Sequence, residues 1–271
     1  MEVKIIATGS SGNCVLVDGR ILIDAGISIR LLTAYGVDPA QLDALIITHK
    51  HGDHMKLPLV RYLLSAGVKA FLPSGVIAKL AEEGQINITE LVDIGQVTVI
   101  ADGRTFQAGP VTVEAFPQQH HDIVNYAFVL TKGKDRLLYA TDLDTLEPSE
   151  TGVGLLHLGQ FDTILLEGNY DEPYLRAYIE YMVSLVPEAE DPTKASDADL
   201  ESWVKANYRS LPDAIARNAF RAIQNHRHLS KQQARAYAKT HLKPGGSYYE
   251  IHRSRQFYEE PEEDWRESAE G

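Results

Sequence analysis

Ala44-Leu-Ile-Ile-Thr-His49-Lys-His51-Gly-Asp53-His54 is the stretch of sequence that decides the fold class. Its apolar start predicts a short buried strand, and four side chains that can bind metal follow within six residues. Imidazole nitrogen and carboxylate oxygen are ligands that suit Zn²⁺, with Mn²⁺ or Fe as alternatives. The spacing offers two separate pairs of ligands and therefore predicts two ions. The alternative is a histidine-rich surface loop, but such a loop is not expected directly behind a buried strand.

Further candidate ligands occupy similar places elsewhere in the chain. They follow predicted strands or precede a helix whose start is marked by a capping box at Ser230 and Gln233. These candidates are His120 and His121 after the strand at 111–116, Asp142 after the strand at 136–140, and His226 and His228 before the helix. Each of them alone would be weak evidence, because an isolated polar side chain in a loop is usually only solvated. The residues themselves leave both histidine pairs ambiguous.

Composition and charge narrow the class of protein. A chain of 271 residues can bury one large core, and no apolar run is long enough to cross a bilayer. Cys14 is the one cysteine, and the first residues do not resemble a signal peptide, so we expect a cytoplasmic protein. The formal net charge of −12 argues against sequence-independent binding of a long polyanion such as nucleic acid.

The charge is unevenly distributed. Residues 207–255 contain ten Lys or Arg and two acidic residues, whereas the tail at 256–271 contains seven acidic residues and one Arg. The basic stretch is interpreted either as solvated helix faces or as a surface that faces an anionic substrate.

The order of predicted elements indicates the architecture. The first half is rich in short apolar strands, and the chain becomes helical from about residue 171. We predict one α/β domain at 1–255 with a helical insertion at about 171–210, followed by an acidic tail at 256–271. Strands and helices that alternate in this way suggest two packed sheets with helices outside.

The ligand pattern resembles that of the metallo-β-lactamase superfamily. The motif His-x-His-x-Asp-His is followed by His, Asp and His, and preceded by Leu22-Ile-Asp24-Ala-Gly26. The resemblance extends from the turn at 9–13 to about Ser254. It implies an αββα sandwich of two mixed sheets flanked by helices, and two divalent ions, with Zn²⁺ expected and Mn²⁺ as the alternative. In the superfamily pattern Asp24 supports the ligand loop, and the ligands are His49, His51 and His121 for one ion, Asp53, His54 and His228 for the other, and Asp142 between them.

Other motifs are similar to one branch of the superfamily. The segments at 9–13, 121–122, 167–171 and 228–230 resemble the YycJ/WalJ group, and those at 121–126 and 251–258 resemble the related anti-Pycsar proteins. The resemblance implies a phosphodiesterase that hydrolyses cyclic mononucleotides (cCMP, cUMP, cAMP, cGMP) to linear monophosphates and disarms a cyclic-nucleotide anti-phage defence. The alternatives are a YycJ- or RNase Z-like nuclease acting on DNA or RNA, a thioesterase or lactonase, and a binding module that keeps its metals for stability.

The resemblance also suggests roles and partners. Asp53 is expected to carry a proton, and His252 to contact phosphate or protonate the leaving oxygen, unless it is an ordinary surface histidine. Asn125 and Tyr126 are expected either to bind substrate or to brace the His121 loop. The expected partners are a small anionic nucleotide, with nucleic acid less favoured, no membrane, and a second copy of the chain in a homodimer. If the protein is phage-encoded, its expected location is the host cytoplasm.

Overall fold

The computed structural model describes residues 1–101, 103–120, 123–149, 152–184, 197–207, 209, 211, 213–225 and 227–258. Across these residues the chain forms two six-stranded mixed sheets flanked by helices, as the sequence predicted. His121, the loop at 187–196 and the acidic tail beyond Tyr258 lie outside the described residues. In the described part of the chain, no helix combines the length and the apolar character that a membrane span requires.

The strands of the first sheet lie side by side in the order in which they occur in the chain, and the connections between them contain helices. Its first two strand pairs are antiparallel and the remaining three are parallel. Residues 88–93 form a short helix, and the side chain of Asn87 caps its first turn. The elements are β1 Val3–Ala7, β2 Cys14–Val17, β3 Ile21–Ile23, α1 Ile29–Ala34, β4 Ala44–Ile46, α2 Leu57–Ser65, β5 Ala70–Pro73, α3 Ser74–Glu83, α4 Ile88–Asp93 and β6 Val97–Ile100.

The second sheet runs in the order β12-β11-β10-β9-β8-β7. Strands β7 to β10 pair antiparallel, and β10, β11 and β12 pair parallel. The predicted capping box at Ser230 and Gln233 is confirmed and starts the last helix. The elements are β7 Thr105–Ala108, β8 Val111–His120, β9 Ile123–Lys132, β10 Asp135–Ala140, β11 Phe161–Glu167, α5 Glu172–Ser184, α6 Asp197–Asn207, α7 Asp213–Asn225, α8 Lys231–His241 and β12 Leu242–Ile251.

Four hydrophobic clusters hold these layers together. One lies between the two sheets, a second packs α1 to α4 on the first sheet, and a third packs α8 on the second sheet. Helices α5, α6 and α7 share a separate cluster that also contains Phe257. The helices after residue 171 therefore form a small unit with a core of its own.

The polar residues at the ends of several strands converge on one edge of the sandwich. Parallel strands bring their carboxyl ends to the same edge, which is where α/β sheets usually bind ligands. Three of these residues have left-handed backbone, with φ of 60° at Asp24, 56° at Asp142 and 55° at His252. Such backbone is costly for a residue other than glycine and is concentrated at functional sites.

Gly26 lets the chain after β3 approach the ligand loop closely. The amide of Asn13 donates to the carbonyl of Asp53 over 2.6 Å, and the amide of Gly26 donates to the carbonyl of Asn13 over 2.9 Å. A Cβ at Gly26 would lie 1.6 Å from the carbonyl oxygen of Asp53. Only glycine fits there without displacing the loop.

We predict that Gly26→Ala lowers the free energy of unfolding by at least about 2 kcal/mol, because backbone must move to admit the new methyl group. Gly52→Ala is the matched control in the same loop, since a Cβ at Gly52 meets nothing within 4 Å. Urea denaturation of the two variants and the wild-type protein measures the difference. Equal stability of the two variants would show that the close approach at Gly26 does not constrain the loop.

Candidate metal centre

The buried carboxylate of Asp24 orients the ligand loop. Its Oδ1 accepts hydrogen bonds from the amide and the hydroxyl of Thr48, each over 2.9 Å. Its Oδ2 lies 2.8 Å from Nδ1 of His54 and accepts a hydrogen bond from the hydroxyl of Tyr139 over 2.9 Å. With Nδ1 of His54 held in this way, Nε2 lies 2.8 Å from Oδ2 of Asp142. Asp24 thus has the supporting position that the superfamily pattern implies.

Among the residues that the structure describes, the candidate ligands form four overlapping groups. Within each group the ligand atoms lie within 4.8 Å of one another. Because Asp142, His49, His54 and His252 each belong to more than one group, the groups merge into a single centre that could hold metal. Its imidazole and carboxylate donors fit Zn²⁺ or Mn²⁺. The groups are His49, His51 and His120; His49, His54 and Asp142; Asp53, His54 and His252; and Asp142, Glu167, His228 and His252.

His120, the alternative to His121 that the residue pattern left open, lies at the ligand cluster. It is the last residue of β8, it is buried, and its ring centroid lies 5.3 Å from those of both His49 and His51. Its Nε2 is 3.6 Å from Oδ1 of Asp142. His120 therefore groups with His49 and His51 as a set that could hold a metal ion, and His121 lies outside the described residues.

His252, which the resemblance suggested as a phosphate contact or proton donor, lies against Asp53 of the ligand loop. Its Nε2 is 3.4 Å from Oδ2 of Asp53 and 3.6 Å from Oδ1 of Asp142. Nδ1 of His228 lies 3.0 Å from Oε2 of Glu167 and 3.6 Å from Oδ1 of Asp142. The geometry therefore favours His252 as the residue that joins Asp53 and His54, and His228 belongs to the same centre through Asp142 and Glu167.

Glu167 and Asn169 belong to the site although the residue patterns did not assign them a role. Glu167 is buried, and its Oε1 accepts hydrogen bonds from the amides of Leu143 and Leu229. The side-chain amide of Asn169 donates to the carbonyl of His252 over 2.9 Å and lies 3.0 Å from its Nδ1. The end of the apolar strand β11 is the signal that could have revealed Glu167, because the other ligands also follow buried strands.

Asn125 and Tyr126 lie away from the cavity at this centre. The side-chain amide of Asn125 donates to the carbonyls of Thr141 and Asp142, each over 2.8 Å. Tyr126 packs in the cluster between the two sheets. Neither residue is among those that line the cavity. Asn125 therefore braces the turn that presents Asp142, and we do not assign a substrate contact to either residue.

The electrostatics of the centre favour bound cations. Although burial lowers the pKa of His54, the carboxylates of Asp142 and Asp24 raise it overall. Burial raises the pKa of Asp53, but hydrogen bonds from His252 and His54 lower it overall. For His252, burial lowers the pKa, yet Asp142 and Asp53 raise it to about 10. The buried carboxylates thus favour positive charge at His54 and His252, and because a metal-bound imidazole is unprotonated, metal binding there would release protons.

The centre opens into a cavity of about 630 Å³. Ligand residues such as His51 and Asp53 line part of it, and Arg221, Asn225 and Arg253 line another part. The cavity is of the size that proteins use for small ligands. Metal ligands and arginines in one cavity suit an anionic substrate.

Comparisons with known proteins agree with this architecture. A family model described as the Beta-lactamase superfamily domain matches residues 19–205. Exodeoxyribonuclease WalJ of Streptococcus pneumoniae is 26% identical over 189 residues, and the match covers 64% of this chain and 64% of that protein. Ribonuclease TTHA0252 of Thermus thermophilus is 28% identical over 191 residues, which cover 64% of this chain and 43% of that protein. The chain thus spans less than two thirds of the length of these curated relatives.

Among solved structures, the metallo-beta-lactamase fold protein YhfI from Bacillus subtilis is similar to this chain with a TM-score of 0.56 and 16% identity. The match covers 99% of this chain and 90% of that chain. At this level of identity the similarity concerns the fold.

We predict that the protein purified without chelator holds about two divalent ions per chain. Alanine at His120 or His252 should remove about one ion, because each supplies a ligand, whereas alanine at His121 or His228 should leave both ions bound. Elemental analysis of the four variants, with circular dichroism to check the fold, measures this. If the His121 variant loses metal while the His120 variant keeps both ions, His121 is the ligand. If the His228 variant loses metal while the His252 variant keeps both ions, His228 is the ligand, as in the superfamily pattern.

Proposed function

This chain belongs to the beta-lactamase superfamily, and on that premise we propose that it is a dinuclear metal-dependent phosphodiesterase. The observation that carries the proposal is the merged ligand cluster that forms part of the wall of an arginine-lined cavity. Divalent ions bound there would supply a water acidic enough to ionise near neutral pH and positive charge for the attacked group. We assign one ion to His49, His51 and His120, the other to Asp53, His54 and His252, and place Asp142 between them.

His228 is the residue that we propose to protonate the leaving oxygen. Its Nδ1 faces Oε2 of Glu167, and the adjacent amide of Leu229 donates to Oε1 of the same carboxylate. These two contacts hold Nδ1 of His228 against the carboxylate, and we assign the transfer of a proton to the substrate to Nε2. His228 also lines the cavity. The role first expected of His252 therefore passes to His228, and His252 becomes a ligand.

Asp53 remains our candidate for accepting the proton of the attacking water. It lines the cavity, and 24% of its side chain is exposed, whereas Asp142 is 4% exposed. Its Oδ2 faces His54 and His252. A carboxylate that reaches both the ligand cluster and the cavity can orient a water and take up its proton.

A cyclic mononucleotide is the substrate that we propose. It offers one compact phosphodiester with a single negative charge, which suits a cavity of about 630 Å³ in a chain of net charge −12. Water would add to phosphorus, the bond to the 3′ oxygen of the ribose would break, and that oxygen would leave with the proton from His228. The product is the linear monophosphate. Such an activity would remove a cyclic-nucleotide signal, including one used in anti-phage defence.

A nuclease is the second candidate, and a specific observation favours it. The relative of 26% identity is named an exodeoxyribonuclease, and that of 28% identity a ribonuclease. Both candidates use the same centre and the same bond cleavage, and they differ in the length of the substrate. A thioesterase or lactonase would use the same ligands on a carbonyl group.

We predict that the metal-loaded protein converts cCMP, cUMP, cAMP or cGMP to the linear monophosphate with little dependence on salt. A nuclease that relies on many phosphate contacts would lose affinity by about 10³-fold or more between about 50 and 200 mM salt. Chromatography of reactions with these nucleotides, linear DNA, RNA and a thioester separates the candidates. Degradation of DNA or RNA with all four cyclic nucleotides intact would replace our proposal by the nuclease.

The role of His228 predicts a dependence on the leaving group. His228→Asn should slow hydrolysis of a cyclic mononucleotide by about 10²-fold or more, because a ribose oxygen needs a proton to leave. Bis(4-nitrophenyl) phosphate should be affected by less than about 10-fold, since nitrophenolate leaves unprotonated. Steady-state kinetics on both substrates, at equal metal content, measure the contrast. An equal loss on the two substrates would show that His228 is not the proton donor.

A further inference from the structure

Helix α7 contributes a cation to the cavity that the mechanism above does not use. Arg221 and Asn225 are four residues apart and therefore lie on the same face of α7, and both line the cavity. Arg221 is exposed, and the part of the chain that the structure describes provides no hydrogen bond or ion pair for its guanidinium. A cation in a cavity beside a candidate metal centre, with no anion of the described residues paired to it, is suited to an anionic ligand.

Hydrogen bonds connect α7 to the ligand cluster and so place Arg221 relative to it. The side-chain amide of Asn225 donates to Oδ1 of Asn169 over 2.9 Å. Asn169 in turn holds both the carbonyl and the ring of His252. Arg221 precedes Asn225 by one helical turn, about 6 Å along the axis. The position of α7 is therefore coupled to a proposed metal ligand through two side chains.

Arg253, the other arginine in the cavity, has partners of its own. Its Nη2 lies 2.9 Å from Oε1 of Glu250, and its guanidinium lies 5.2 Å from the centre of the Tyr258 ring. The ion pair with Glu250 compensates the charge of Arg253, and the Tyr258 ring covers one face of its guanidinium. Arg221 is thus the arginine of this cavity that can turn its guanidinium to a ligand without breaking a contact within the described protein.

We propose that Arg221 binds a non-bridging phosphoryl oxygen of the substrate and compensates the charge that grows on this group as water attacks. A guanidinium offers two parallel N–H donors, which match two oxygens of a phosphate. A phosphodiester gains a second negative charge in the transition state, whereas a thioester or lactone develops only one, on a single oxygen. Arg221 therefore selects phosphodiesters over carbonyl substrates at the same metal centre. This inference rests on the proposed function, and it makes Arg221 on α7 the residue that determines the preference for phosphodiesters.

The test compares Arg221→Ala and Arg221→Lys with Arg217→Ala, which removes an exposed arginine one turn earlier on α7 that does not line the cavity. With bis(4-nitrophenyl) phosphate, kcat/KM should fall by about 10²–10³-fold in Arg221→Ala, mainly through kcat. The fall should be smaller in Arg221→Lys, which keeps the positive charge but lacks the two parallel N–H donors of the guanidinium. Arg217→Ala should match the wild-type protein. Hydrolysis of neutral 4-nitrophenyl acetate, at whatever rate the wild-type protein shows, should be the same in all four proteins.

Calorimetry with inorganic phosphate provides a readout that does not depend on turnover. Phosphate should bind at least about 10-fold more weakly to metal-loaded Arg221→Ala than to the wild-type protein or Arg217→Ala. Unchanged phosphate binding and diester hydrolysis in Arg221→Ala would overturn the inference and leave the proposed function standing. Equal losses in Arg217→Ala would also overturn it. If the wild-type protein cleaves no phosphodiester but Arg221→Ala still weakens phosphate binding, the proposed function is refuted. The anion site at Arg221 is then retained.

Discussion

The buried carboxylate of Asp24 is the interaction on which the rest of the site depends. It joins Thr48 and His54 of the ligand loop to Tyr139 on β10, so that it links the two sheets at the edge where the site forms. A buried carboxylate is costly unless its oxygens accept several hydrogen bonds, and here both oxygens do. Because Asp24 holds one ring nitrogen of His54, the other nitrogen is directed at Asp142.

The convergence of strand ends explains why so many polar groups can share one place. Left-handed backbone at Asp24, Asp142 and His252 turns each side chain out of its strand direction and toward the centre. Hydrogen bonds from neighbouring elements hold these positions, as Asn125 does for the turn at Asp142 and Asn169 does for His252. The strain is thus stabilised by the surrounding fold, and these hydrogen bonds hold the candidate ligand atoms in position.

The functional residues divide into two groups by their origin in the fold. The proposed ligands, together with Glu167, come from the strand ends and the ligand loop that define the architecture. Arg221 and Asn225 come from α7, which packs with α5 and α6 in a separate cluster. A common fold hosts many chemistries, so substrate preference is expected in the elements that vary around it. In our proposals the sheets supply the metal centre, and the helical unit selects the phosphodiester.

The sequence by itself determined the two-sheet architecture, the loop His49 to His54, Asp142 and the capped start of α8, because these depend on local spacing and on the order of the elements. Only the tertiary structure decided which of the remaining polar residues meet at the centre. Whether His120 points inward depends on the pleat at the end of β8, and local spacing does not determine it. The contacts of Glu167 with His228 and of Asn169 with His252 join residues 61 and 83 positions apart. Such pairings arise from the packing of β11, α8 and β12 side by side, which no short motif records.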